Sequence, residues 1–133
     1  MERAIIARLL QSTALGALVD RRVHHKIRPQ GAPLPAVVIN TISGVPARRL
    51  DGVITITTTR IQVDCWAVTA PQLFAVVSAV KAALDRAAFA HPAAVIRGCF
   101  WIDEQDDDVT ETPLTDQKPL RTRLDFRVQH SPA

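Results

Sequence analysis

The sequence predicts an α+β fold: one domain spanning residues 1–133, with a mainly antiparallel sheet of about four strands. An N-terminal helix and a central helix over about residues 70–88 flank that sheet. Three observations lead there. The elements read in the order helix, strand, strand, helix, strand, strand, which favours helices packed on an antiparallel sheet. The stretch Arg60-Ile61-Gln62-Val63-Asp64-Cys65-Trp66-Ala67 alternates strictly between apolar and polar or aromatic residues. Alternation with period two marks a strand with one face in a core. Immediately after it, Thr69-Ala70-Pro71-Gln72 forms a capping-box helix start, with proline in the first turn where its missing N–H costs nothing.

Composition agrees with a folded chain. The chain has 133 residues, 47% of them hydrophobic, enough for a sizeable core and too many for a disordered segment. Net charge is +3, too mild to argue by itself for a nucleic-acid partner. Cys65 and Cys99 both lie in apolar stretches and read as buried, reduced thiols of a cytoplasmic protein rather than a disulfide. No stretch approaches the ~20 apolar residues of a membrane span, and the first residues lack a signal-peptide layout.

Taken in order, residues 2–19 are helical, with Ile5, Ile6, Leu9 and Leu10 as an apolar stripe. Ser12 is placed to cap a second short helix through Leu15 and Leu18. Residues 23–32 are basic and read as a short edge segment and a loop, closed by Pro33-Leu34-Pro35. Ala36–Ser43 is a β-branched strand, Gly44-Val45-Pro46 a breaker, and 47–51 a polar loop. The next run, 53–66, changes apolar parity: Ile54 and Ile56 are even, whereas Ile61, Val63 and Cys65 are odd. A one-residue slip flips every side chain, so a bulge or turn near residues 57–59 is expected, or an arm leaving the sheet before Arg60. In the central helix Leu73, Val76, Val77, Val80, Leu84 and Ala87 form the buried stripe. Strands follow at 95–103 and 120–129, joined by a long acidic loop from Asp103 to Lys118.

The search for chemistry comes back empty. The acidic loop lacks the glycine and the oxygen offsets of a calcium loop. His24 and His25 are adjacent, hence on opposite strand faces, and no second ligand pair accompanies them. No phosphate-binding glycine loop or Gly-x-Ser-x-Gly occurs. No cofactor and no metal are implied. Arginine is the more telling residue: Arg48, Arg49, Arg60, Arg121, Arg123 and Arg127 fall on loops or outward strand faces. Two readings stay open for them, a solvated sheet surface or salt bridges across a subunit boundary. A nucleic-acid footprint would interleave aromatics with the basic residues, and the chain has four Phe, two Trp and no Tyr.

The residues also resemble a family. Leu34-Pro35-Ala36-Val37-Val38, Ile42-Ser43-Gly44-Val45-Pro46, Leu50-Asp51-Gly52, Arg60–Ala67, Val80-Lys81-Ala82-Ala83-Leu84 and Leu124-Asp125-Phe126-Arg127-Val128 follow in an order similar to the tail completion (tail terminator) proteins of long-tailed bacteriophages and phage-like gene transfer particles. The resemblance implies a non-enzymatic virion protein at the neck or tail top, assembled in the host cytoplasm. Its implied partners are further copies of itself in a hexameric ring, the tail tube protein, and a head-side connector or stopper. DNA would pass through the lumen without sequence-specific binding, and no membrane is involved. With the resemblance in hand, the expected subunit contacts are Arg48, Arg49, Asp51, Arg60, Gln62, Asp64, Trp66, Arg123 and Arg127. The Thr-rich run Thr55, Thr57, Thr59 departs from the family pattern and leaves the length and direction of an extended arm open. Two alternatives stand beside this reading: a connector or stopper of the same particle, and a small cytoplasmic hydrolase using Cys65 or Cys99 as nucleophile.

Overall fold

The computed structural model describes residues 1–28, 33–106 and 119–132. Among the described residues six strands form a single sheet in the order β1-β2-β3-β6-β5-β4. They are β1 (Val23–His25), β2 (Ala36–Arg48), β3 (Ile54–Ala67), β4 (Ala87–His91), β5 (Ala94–Asp106) and β6 (Leu120–Ser131). The three helices among the described residues are α1 (Glu2–Gln11), α2 (Thr13–Val19) and α3 (Ala70–Leu84).

The α+β class holds, but the sheet is larger than the expected four strands and is mixed, because β1 runs parallel to β2. The two added strands are short sheet edges. Residues 23–25 sit in the segment read as edge and loop. Residues 87–91 sit where the helix was expected to continue to 88. The helix stops earlier because Arg86 adopts φ 64 and its amide donates to the Cys99 carbonyl at 2.6 Å. Sheet pairing with β5 overrides the helical propensity of an alanine-rich run.

The N-terminal region is two helices. Ser12 ends the first and caps the second, its hydroxyl accepting from the Leu15 amide at 3.2 Å. At α3 the Thr69 hydroxyl accepts from the Gln72 amide, and the Gln72 side chain returns to the Val68 amide rather than to that of Thr69.

All three helices contribute to one core. Ile5, Leu9, Leu15, Val76, Val80 and Leu84 interlock with Ile39, Ile61, Val63, Cys65, Leu124, Phe126 and Val128 from the sheet, all fully buried. The odd parity of β3 is thus its inward parity, as its alternation requires.

The expected irregularity in β3 falls elsewhere. β3 pairs with β6 without interruption from Thr57↔His130 to Ala67↔Leu120. The slips lie in the β2–β3 ladder, between Thr41 and Ser43 and again between Ala47 and Arg48. The first leaves Ile42 as the unmatched residue of β2. The second leaves Thr55 as the unmatched residue of β3, whereas Ile56 lies on the face opposite Ile61 by plain alternation, with no slip in β3 between them. β2 also continues straight through Gly44-Val45-Pro46 to Arg48. Beyond the short β1 its other side has no strand partner among the described residues, and at such an edge a residue without an N–H is tolerated.

The result is a projecting arm. Residues 41–55 are all exposed, and the hairpin extends past the point where β6 ends at Ser131. Its turn is closed by the Arg49 amide donating to the Val53 carbonyl at 2.9 Å, with Gly52 at φ 86. A positive φ of that kind suits glycine. The acidic residues Asp103–Asp106, expected in a loop, instead complete β5. The rest of the expected loop lies outside the described residues.

Candidate assembly surface

The helices cover one sheet face. The other face carries the outward half of the Arg60–Ala67 alternation, and register decides what each residue meets. Arg60 sits opposite Arg127, Gln62 opposite Asp125, Asp64 opposite Arg123, and Trp66 opposite Arg121. Like charges directly opposite would repel, so the arginines bond diagonally. Arg60 Nε and Nη2 both donate to Asp125 Oδ2, at 2.9 and 2.5 Å, and Nη2 lies 3.7 Å from Asp103 Oδ2 on β5. Asp64 takes the Gln62 amide at 3.0 Å and faces Arg121 at 3.8 Å.

The aromatics are held by the same cations. The Arg121 and Arg28 guanidiniums lie 4.9 and 5.5 Å from the Trp66 ring, and Arg127 lies 5.8 Å from the Phe100 ring. Such contacts fix flat, rigid side chains at a surface. The face divides along its length. Asp64 is only 7% exposed, and Gln62, Trp66 and Arg123 are half-buried. Arg60, Arg127 and Phe100 are exposed.

Of the nine residues expected at subunit contacts, the structure gathers six on this face: Arg60, Gln62, Asp64, Trp66, Arg123 and Arg127. It does not bring Arg48, Arg49 and Asp51 there. They lie at the arm tip, where Arg49 pairs with Asp51 at 2.8 Å and Arg48 donates to the Gly52 carbonyl. Asp125, Asp103 and Phe100 join the face without having been expected in it. Asp125 was legible as outward by parity, yet its role as the Arg60 acceptor needed the β3–β6 register.

Neither thiol is placed for chemistry. Cys65 and Cys99 have no exposed surface. Burial pushes the Cys99 thiol up to about 12 and the Cys65 thiol further up, so neither becomes a ready thiolate. Among the described residues no three His, Cys, Asp or Glu side chains cluster as metal ligands, and no helix is long and apolar enough to cross a membrane.

Two comparisons with known proteins find relatives. The family model described as tail completion protein gp17 matches residues 3–131. Among solved structures, a chain from the virion of a native gene transfer agent particle superposes with a TM-score of 0.80 at 17% identity. The match covers 98% of this chain and 93% of that one. At that identity the likeness shows the fold. No curated protein matches.

Proposed function

The chain belongs to the tail completion protein gp17 family, a structural, tail-associated virion component, and on that premise we infer that it forms the ring ending the tail tube. On this reading residues 1–133 act as one domain. Six copies close into a ring at the head-proximal end of the tube, stop tube polymerisation, and offer the upper surface to the head-side connector. DNA crosses the lumen without being read. Catalysis plays no part.

The observation that carries the reading is the family match over nearly the whole chain. The helix-free sheet face supports the assembly. It presents arginine, carboxylate and aromatic side chains together, a composition suited to a subunit boundary. Closed rings use heterologous contacts between two different patches of each subunit, and this chain has an arm and a charged face that differ in chemistry. The connector reading differs in its phenotype. Depletion of this protein yields over-long tails if it terminates the tube, and finished tails without heads if it is a connector or stopper. Electron microscopy of the purified protein is expected to show six-fold rings.

A further inference from the structure

We propose that Asp85 and Trp101, braced by Lys81 and Glu104, guard the uncovered part of the β5 edge and keep a second copy of this chain from adding a strand there. The inference concerns the single chain and does not rest on the ring reading above.

β4 covers β5 only in part. Ala87 pairs with Cys99, and β5 then runs on from Phe100 to Asp106. On that side these residues meet no strand among the described residues. β4 itself cannot reach further, because the chain ahead of it belongs to α3. An unpaired edge offers main-chain donors and acceptors to any other strand. This one is apolar where β4 stops: Cys99-Phe100-Trp101-Ile102 carries no charge, and Trp101 and Ile102 are 41% and 42% exposed. Uncharged stretches of high β-propensity are templates for strand addition.

Side chains take the places that a strand would take. The Cys99 carbonyl accepts from the Arg86 amide at 2.6 Å. The neighbouring Asp85 then accepts from the Trp101 amide, through Oδ1 at 3.1 Å. Asp85 and Arg86 thus continue the β4 side of the ladder by one step, with a carboxylate in place of a backbone carbonyl. Trp101 Nε1 donates to the Asp103 carbonyl at 2.9 Å, and Asp103 Oδ1 accepts from the Glu104 amide at 2.9 Å. A strand adding here has to displace Asp85 from the Trp101 amide and the indole from the Asp103 carbonyl.

The indole is braced for this role. Lys81 Nζ lies 4.0 Å from the centre of its ring and 3.1 Å from Glu104 Oε1. A cation over the ring and an ion pair beyond it hold a half-open aromatic in one place. The register makes the cluster possible. Trp101 pairs with Phe126 and Glu104 with Leu124, both core residues, so both side chains rise on the helix side. Residues three apart in a regular strand face opposite ways. The slip that leaves Ile102 unmatched brings Trp101 and Glu104 to one face. Bulges and edge charges keep edge strands single, and Asp103, Glu104 and Asp106 place charge directly after the apolar run.

The test uses the full chain carrying Asp85→Ala and Trp101→Phe together, which removes both side-chain partners and keeps an aromatic ring at position 101. Followed by light scattering, this variant is expected to grow about tenfold faster than wild type at equal concentration, into aggregates of no fixed size. Adding Ile102→Lys is expected to return it to the wild-type rate, because a lysine on the edge blocks strand addition without restoring either hydrogen bond. Growth of the double variant no faster than wild type overturns the guard. Fast growth that Ile102→Lys leaves unchanged also overturns it, since growth then runs through some other surface. If the double variant does not fold, Trp101→Phe alone decides. It frees only the Asp103 carbonyl and is expected to grow about threefold faster, and an unchanged rate overturns the guard. The ring reading is judged separately, by whether wild type forms particles of one finite size.

Discussion

Replacing Trp66 by alanine separates a plain sheet surface from a subunit boundary. In the isolated chain the indole contributes two guanidinium contacts, from Arg121 and Arg28. Each is worth ~0.5–1 kcal/mol at a partly exposed site. Trp66→Ala is therefore expected to lower the stability of the unassembled chain by about 1–2 kcal/mol, read as a lower denaturant midpoint with unchanged slope. If the helix-free face is a subunit contact, the same change removes a flat aromatic anchor there. Anchors of that kind cost about 2 kcal/mol or more on truncation, roughly a 30-fold loss of affinity per contact. Sedimentation of wild type and variant across a concentration series measures it. A variant that loses only the monomer stability, yet assembles and terminates tails like wild type, refutes the assignment and returns this face to solvent.

Three further outcomes follow from the core and its titrating groups. Phe126 is fully buried between sheet and helices, so Phe126→Ala is expected to cost ~3–5 kcal/mol in chemical unfolding. A loss below about 1 kcal/mol would contradict its place in the core. Cys65 and Cys99 are expected to resist thiol reagents in the native protein and to react fully after unfolding, and Cys→Ala at both is expected to leave assembly intact. Rapid native labelling would return a reactive thiol to consideration. His130 shares a 2.8 Å hydrogen bond with Thr59, and burial holds its pKa below the ordinary 6.5. The stability it contributes is full above 6.5 and is lost as pH falls through the lower folded value. His130→Gln is expected to flatten the melting temperature between pH 7 and pH 5, and an unchanged slope would remove His130 as its source.

Local physics made a large part of the chain readable. The alternation Arg60–Ala67 divides inward from outward correctly, because a strand with one face in a core permits only one parity. The Thr69 cap and the Val76-Val77-Val80-Leu84 stripe locate α3 for the same reason, since cap and periodicity are properties of neighbouring residues. The Ser12 boundary was visible too. Family membership was legible because it rests on the order of short motifs, and order is a property of sequence. What resisted was whatever depends on a remote partner. β1 and β4 are strands because β2 and β5 offer them an edge, not because Val23–His25 or Ala87–His91 demand it. Pro46 reads as a breaker until its place at a sheet edge is known. The parity change before Arg60 suggests a bulge or turn near residues 57–59, yet that stretch pairs without interruption, and only the paired strands show that Ile42 and Thr55 are the residues left over.

The arginines show the division most clearly. Their outward direction follows from sequence alone. That Arg60 grips Asp125 rather than facing Arg127, and that Arg48 and Arg49 travel out on an arm away from the other expected contacts, follows from the β3–β6 register and from β6 ending at Ser131. Side-chain direction is set by the local backbone, whereas partnership is set by which strand lies alongside. For this protein the sequence by itself determined the α+β class, the inward stripe and the family. The tertiary structure alone decided the six-stranded mixed sheet, the arm, and which charges stand opposite one another.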